Sequence, residues 1–350
     1  MEHIADRVYS SIYSKHWKAL VLRDDFGRGE GPLRTGPNGE ERPSGEYHLV
    51  VVTRTLDPLI RQTLLRMGDP LSKEFGIPVH LSPCLARSLK HGEFSLLNYE
   101  LKRGHRVIRG DQNILSTLPD YDPGQIPLSE GTRLLMNRGK RLLDIKIRLG
   151  IGTPLTKEEH RLFLQSIFAA NLAFGDCILL MRGAYDSSYA VRKNRIGKID
   201  LSNLHNGRDV AEACRRAIEF KERADFHFLE TENLHVLFNE TVRRFEEVFL
   251  WYERRRLNRK FQTLEKYAHE FPNLGDEGRA LSNAVHNLRA FGLGAFPNLF
   301  THPRIRLYAA LPLLLTPHAN WKAVREVLRS GQSTTKGLYK NFESLQQQFS

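Results

Sequence analysis

Cysteine is scarce: three occur in 350 residues, Cys84, Cys177 and Cys214, and no CxxC pair exists. An odd, widely spaced set excludes a disulfide scaffold and a zinc ribbon and suits a reducing cytoplasm. Long apolar runs are missing as well. Stretches such as Ile178–Met181 and Leu311–Leu315 are far too short to span a bilayer. The start, MEHIADRVYSS, lacks the apolar centre of a signal peptide. Together these predict a soluble, cytoplasmic protein without a transmembrane segment. The catalytic signatures HExxH, GxSxG, the P-loop lysine motif and GxGxxG are also absent. Fourteen histidines, among them His16, His91, His105, His205, His227, His235, His269 and His286, show no paired metal-ligand spacing.

What is present is a globular composition, 41% hydrophobic and 26% charged, long enough for two ordinary domains or one large one. The formal net charge of +12 and a pI near 9.7 favour anionic partners: nucleotides, nucleic acid, acidic glycans or a membrane surface. Net charge locates no site, so a basic protein without such a ligand fits equally.

Along the chain, residues 3–15 read as a short amphipathic helix and Trp17–Arg23 (WKALVLR) as a strand, stopped by the turn-rich DDFGRGEG at 24–31. Residues 32–45, dense in Gly and Pro, predict a loop or hairpin excursion. Glu46–Thr53 (EYHLVVVT) is the best strand, with the β-branched run of a buried one. Asp57 and Pro58 open a helix through LIRQTLLRM. Ile77–Leu81 and Arg106–Arg109 are further short strands. From about Ile126 the period changes to helical, in segments 131–149, 158–181, 209–225, 234–257 and 320–330. The Pro/Gly/Asp-rich PDYDPGQIP (119–127) marks the boundary. The expected fold is α+β: a mixed-sheet core over 1–122, then an all-helical domain over 123–350.

The order strand, Gly-rich turn, loop, strand, helix, strand, with the turn residues Phe26, Gly27, Arg28, Gly29, Glu30 and Gly31 (FGRGEG), resembles the DNA polymerase beta-like nucleotidyltransferase superfamily, in a bacterial branch. Weaker similarity runs through 94–111, 128–143 and 174–192, so that it covers roughly residues 17–195, about half the chain. The resemblance implies a turn that cradles a nucleoside triphosphate. It also implies an Asp-x-Asp pair on the second strand and a third Asp on its neighbour, which together hold Mg²⁺. Alternation along a strand puts an x-separated pair on one face, and oxygen-only donor sets suit Mg²⁺.

The chain departs from that pattern where catalysis would occur. Asp24 and Asp25 occupy the Gly-Gly/Ser positions of the turn, Glu46 and His48 the Asp-x-Asp positions, and His80 the third aspartate. The nucleotide-binding turn is therefore Asp24, Asp25, Phe26, Gly27, Arg28 and Gly29, with negative charge where triphosphate should sit. Three classes of function follow. One is a pseudoenzyme that keeps the fold to bind an anionic ligand or a protein partner. The second is a residual Mg²⁺-dependent transferase moving a nucleotide from an NTP to a small molecule, sugar or protein. The third is an altered Zn²⁺ or Mn²⁺ site on Glu46, His48 and His80, since imidazoles suit those ions better than Mg²⁺. The pseudoenzyme reading is preferred.

Two basic segments compete with plainer explanations. Tyr185, Tyr189, Arg192 and Lys193 could form an anion patch with stacking tyrosines, or a helix end with aromatic core contacts. ERRRLNRK (253–260) could grip phosphates or be a solvated helical face. Cys84, near the third-ligand strand, reads as a small buried residue rather than a nucleophile.

Overall fold

The computed structural model describes residues 1–350 apart from 36, 37, 93, 224–232, 271–278, 297, 317–319 and 350. It is α+β: an N-terminal four-stranded mixed sheet followed by a large helical region. By chain contacts it divides into two units. The first holds Met1–Pro127, Arg182–Lys198 and Arg215–Glu230, and the second holds the remainder. The first break falls at the end of the Pro-rich 119–127 stretch. A division into continuous halves at 122/123 is corrected by the two later segments that belong with the sheet. Composition marks where a chain leaves a unit; it carries no sign of a short helix returning to one.

The first unit opens with helix α1 (Glu2–Ser10), strand β1 (Trp17–Arg23), a single helical turn α2 (Asp24–Gly27), and the short hairpin β2 (Leu33–Thr35) and β3 (Glu41–Pro43). It continues with β4 (Tyr47–Thr53), α3 (Pro58–Phe75), β5 (Val79–Leu85), α4 (Ala86–Lys90), α5 (Leu96–Arg103) and β6 (His105–Gly110). The sheet order is β5-β4-β1-β6, with β4 and β5 parallel and β1 antiparallel to both its neighbours. Both faces are covered, which is why β4 reads as an unbroken apolar run rather than an alternation. Leu20, Leu22, Leu49 and Val51 pack with α1 and α3; Ala19, Val21, Val50 and Val52 pack with Leu89, Leu101 and Leu115 on the other face.

Helix α3 begins as the sequence predicts. The Asp57 carboxylate accepts the Ile60 N–H at 2.8 Å, Pro58 fills the first turn, and Gly76 ends the helix at φ +63°. It runs past LIRQTLLRM and through Pro70. The missing donor there sits on the exposed side, where water can take the freed carbonyl.

The helical region contributes α6 (Ser129–Leu149), α7 (Lys157–Met181), α8 (Tyr189–Ile196), α9 (Gly207–Arg223), α10 (Leu234–Arg256), α11 (Leu264–Glu270), α12 (Ala280–Phe291), α13 (Arg304–Leu315), α14 (Trp321–Leu328) and α15 (Thr335–Phe349). Of these, α8 and the part of α9 from Arg215 onward belong with the sheet unit. The last two residues of the predicted 209–225 helix, and His227, lie outside the described residues. Helix α7 corrects the reading that every apolar stretch is short. It is long and apolar enough to cross a membrane by length and composition, but 72% of its most apolar window is buried within the protein. It packs on α6 and α10, and its second half is buried on nearly every side. The second unit also absorbs the 253–260 basic run. Glu253 is buried and takes Arg256 at 2.7 Å and the Tyr267 hydroxyl at 3.1 Å, while Arg255 lies over the Trp251 ring at 4.2 Å. That run braces its own helix end.

Candidate functional site

The site grows from the end of β1. The predicted glycine-rich turn is, in its first half, a helical turn: Asp24–Gly27 form α2, and the Arg28 and Glu30 amides close back on Asp24 and Asp25. Asp24 has φ +60°, in the left-handed region that favours glycine and that Asp tolerates better than most residues. Gly27 is held by space instead. A Cβ there would stand 2.6 Å from the Leu22 carbonyl oxygen and 2.9 Å from that of Gly104.

Below the turn lies a buried brace. Arg28 donates to Asp25 at 2.8 Å and to Glu30 at 3.1 Å, and its Nη1 lies 3.8 Å from Glu100. Burial alone would lower the Arg28 pKa; Glu100 above all, with Tyr189 and Asp25, overrides that and raises it. Asp25 accepts from the Tyr189 hydroxyl at 2.6 Å and from Lys221 Nζ at 2.9 Å. Burial pushes the Asp25 carboxyl up, but Lys221, the Tyr189 hydrogen bond and Arg28 outweigh it and hold it below the ordinary range. Glu30 accepts from the Ser188 hydroxyl at 2.7 Å and the Tyr189 amide at 3.1 Å, a carboxylate at the start of α8 where the helix dipole favours it. Glu100, which accepts from the Tyr185 hydroxyl, is pushed up by burial and only partly held down by Arg192 and Arg28.

This brace corrects the anion-patch expectation. Tyr185, Tyr189 and Arg192 are only 1%, 5% and 3% exposed. The Arg192 guanidinium lies over both tyrosine rings, at 5.2 and 4.5 Å. Lys193 meets Glu219 at 3.0 Å and Glu222 at 3.6 Å. The stacking faces and the arginine charge are thus used inside the unit. Among the residues that sequence reasoning missed, Glu100 lies in the 94–111 similarity block and could have been picked as its charged partner for Arg28. Lys221 gave no signal, being one cation on an amphipathic helix.

Above the brace, at the same edge of the sheet, is an open polar cluster. Parallel pairing sets His48 opposite His80, and antiparallel pairing sets Arg23 opposite His48, so three residues line one face in a row. The two imidazoles stack with centroids 4.9 Å apart and planes 18° from parallel. Each aims Nε2 at the same Glu46 oxygen, Oε2, at 3.3 Å from His48 and 3.2 Å from His80. His48 Nδ1 is 3.9 Å from Asp24 Oδ2, and Arg23 is 3.5 Å from Asp24. The Glu46 carboxyl is held low first by the His48 hydrogen bond, against a burial effect that raises it, and further by the charges of His80 and Lys221.

The three residues therefore converge as expected, but not as a metal site. Among the described residues, no group of three His, Cys, Asp or Glu is arranged to hold a metal ion. The two Nε2 atoms approach one Glu46 oxygen at hydrogen-bond distances, 3.3 and 3.2 Å. Ligands instead direct lone pairs at a common point ~2.1 Å from each. The set suits Mg²⁺ no better, since it offers one carboxylate where an oxygen cage is needed. Cys84 is half-buried on β5, and burial pushes its thiol up, away from nucleophilic use. No protein-family model matches the chain, and no curated protein sequence matches it either.

Proposed function

We propose that the chain is a catalytically silent relative of the nucleotidyltransferases, a cytoplasmic pseudoenzyme that acts by binding an anionic ligand or a protein partner. One observation carries the reading: the carboxylates at the turn and just before β4 already have partners within the protein itself. Asp25 is held by Lys221 and Arg28, and Glu46 by His48 and His80. The one carboxylate that stands at a Mg²⁺-binding position of the transferase pattern, Glu46, already has two imidazoles on one of its oxygens, and Asp24 sets negative charge where phosphates would approach. The positive φ of Asp24 supports the match of this turn to the transferase pattern, because a backbone shape suited to glycine persists after the glycine has gone. The half-exposed His48–Glu46–His80 edge is the surface left for recognition.

Calorimetry with ATP in the presence of Mg²⁺ tests the binding half of this proposal. The expected result is an affinity weaker than about millimolar, where even −4 kcal/mol is not reached. Micromolar binding of ATP would assign the turn its ancestral ligand and return the site to the residual-transferase reading.

A further inference from the structure

In the second unit, helix α12 turns its polarity inside out. Asn283 and Asn287 are 4% and 1% exposed. Asn287 Nδ2 donates to the carbonyls of Leu299 at 2.9 Å and Thr301 at 2.7 Å, and Asn283 Nδ2 to that of Phe300 at 3.2 Å. The opposite side carries Leu281, Val285 and Leu288 at i, i+4 and i+7, all exposed. Leu293, 86% exposed, Phe296 and Phe300 follow in the connection after the helix and are exposed as well.

This outward display is built rather than left over. Buried Arg306 lies over the Phe291 ring at 4.7 Å and donates to the carbonyls of Gly294 at 3.3 Å and Ala295 at 3.2 Å. Buried polar side chains thus hold the connection after α12 by its backbone and leave its large apolar side chains in water. Six large apolar side chains exposed within positions 281–300 exceed the singly scattered exposure of ordinary proteins.

The stretch of chain that carries these residues has charge of one sign. From Arg279 to Arg325 the sequence carries six lysines and arginines and no aspartate or glutamate, although acids make up 40 of the 350 residues overall. Arg279, just before α12, and His286 and Arg289 on it are exposed. A symmetric pairing of two copies here would set like charges against each other, and side chains this exposed do not form the floor of a peptide groove.

We infer that this face docks on an anionic lipid surface, with Leu293 and Phe296 entering the headgroup–acyl boundary and Arg279 and Arg289 meeting lipid phosphates. Apolar insertion and cationic attraction are each weak alone and suffice together. The test is co-sedimentation of the full chain with phosphatidylcholine vesicles, with and without phosphatidylserine. Pelleting should require phosphatidylserine and weaken with added salt. Arg279→Gln with Arg289→Gln should reduce affinity about fivefold per arginine. Leu293→Ser with Phe296→Ser should abolish pelleting while leaving the circular-dichroism melt in place, since both side chains are outside the core. Failure to pellet with phosphatidylserine overturns the inference, as does pelleting by the Leu293→Ser/Phe296→Ser variant equal to that of the parent. A concentration-dependent dimer lost in that variant, or saturable binding of an acidic amphipathic peptide without any lipid binding, would give the patch a different occupant and likewise overturn it.

Discussion

His48 and His80 face each other across the parallel β4–β5 pair, and a single oxygen of Glu46 receives both their Nε2 atoms, at 3.3 and 3.2 Å. The pair stands at the solvent edge, whereas Asp25 and Arg28 lie beneath the turn in the interior. The two clusters therefore differ in what their loss should do.

Removing charge from the inner cluster should be costly. Asp25→Asn leaves Arg28 and Lys221 without their shared acceptor in a largely desolvated place, and about 2–4 kcal/mol of stability should be lost. Glu46→Gln, in a half-exposed setting, should cost about 1 kcal/mol or less. Urea denaturation of the two variants checks this ordering, and equal losses would contradict the division into brace and edge.

The depressed Asp25 carboxyl gives that stability a pH dependence. Its folded pKa lies below the unfolded value of about 3.9, so the contribution is complete above that value and is lost as pH falls through the folded pKa. Urea midpoints of the parent chain should therefore fall more steeply below pH ~4 than those of Asp25→Asn. Parallel curves would show that Asp25 is not held low.

The turn makes a conformational prediction. Asp24→Gly should be neutral or stabilising by up to about 1 kcal/mol, because glycine takes φ +60° without strain. Gly27→Ala should destabilise by about 2 kcal/mol or more, its Cβ being blocked by two backbone carbonyls. Thermal melts of the two variants moving in the same direction would refute this.

Much of the sheet unit was legible in the sequence. The β-branched run of β4, the Asp57–Pro58 start of α3 and the loss of strand signals after 127 each have a local cause that the residues display. Period-two alternation also placed Glu46 and His48 on one face, and the register of β5 brought His80 level with them. What could not be read was the return of the chain to the sheet unit. Tyr185, Tyr189 and Arg192 look like a basic aromatic surface until burial is known, and Lys221 comes from a helix some 196 residues beyond Asp25. Nor does the sequence say how the two imidazoles and the carboxylate are disposed; that both Nε2 atoms meet one oxygen of Glu46 is visible only in three dimensions. Helix α12 escaped for a related reason, since its apolar residues face out and its asparagines face in.

The central claim is catalytic silence, and the most direct measurement is transfer of label from ATP, CTP, GTP and UTP by the full chain. It should be run with Mg²⁺ and with Mn²⁺, to the chain itself and to generic acceptors. No transfer above a no-protein control is expected with any nucleotide. Transfer that appears with the parent chain and disappears with Glu46→Ala would contradict it, because the carboxylate taken here to be occupied by two histidines would then be at work.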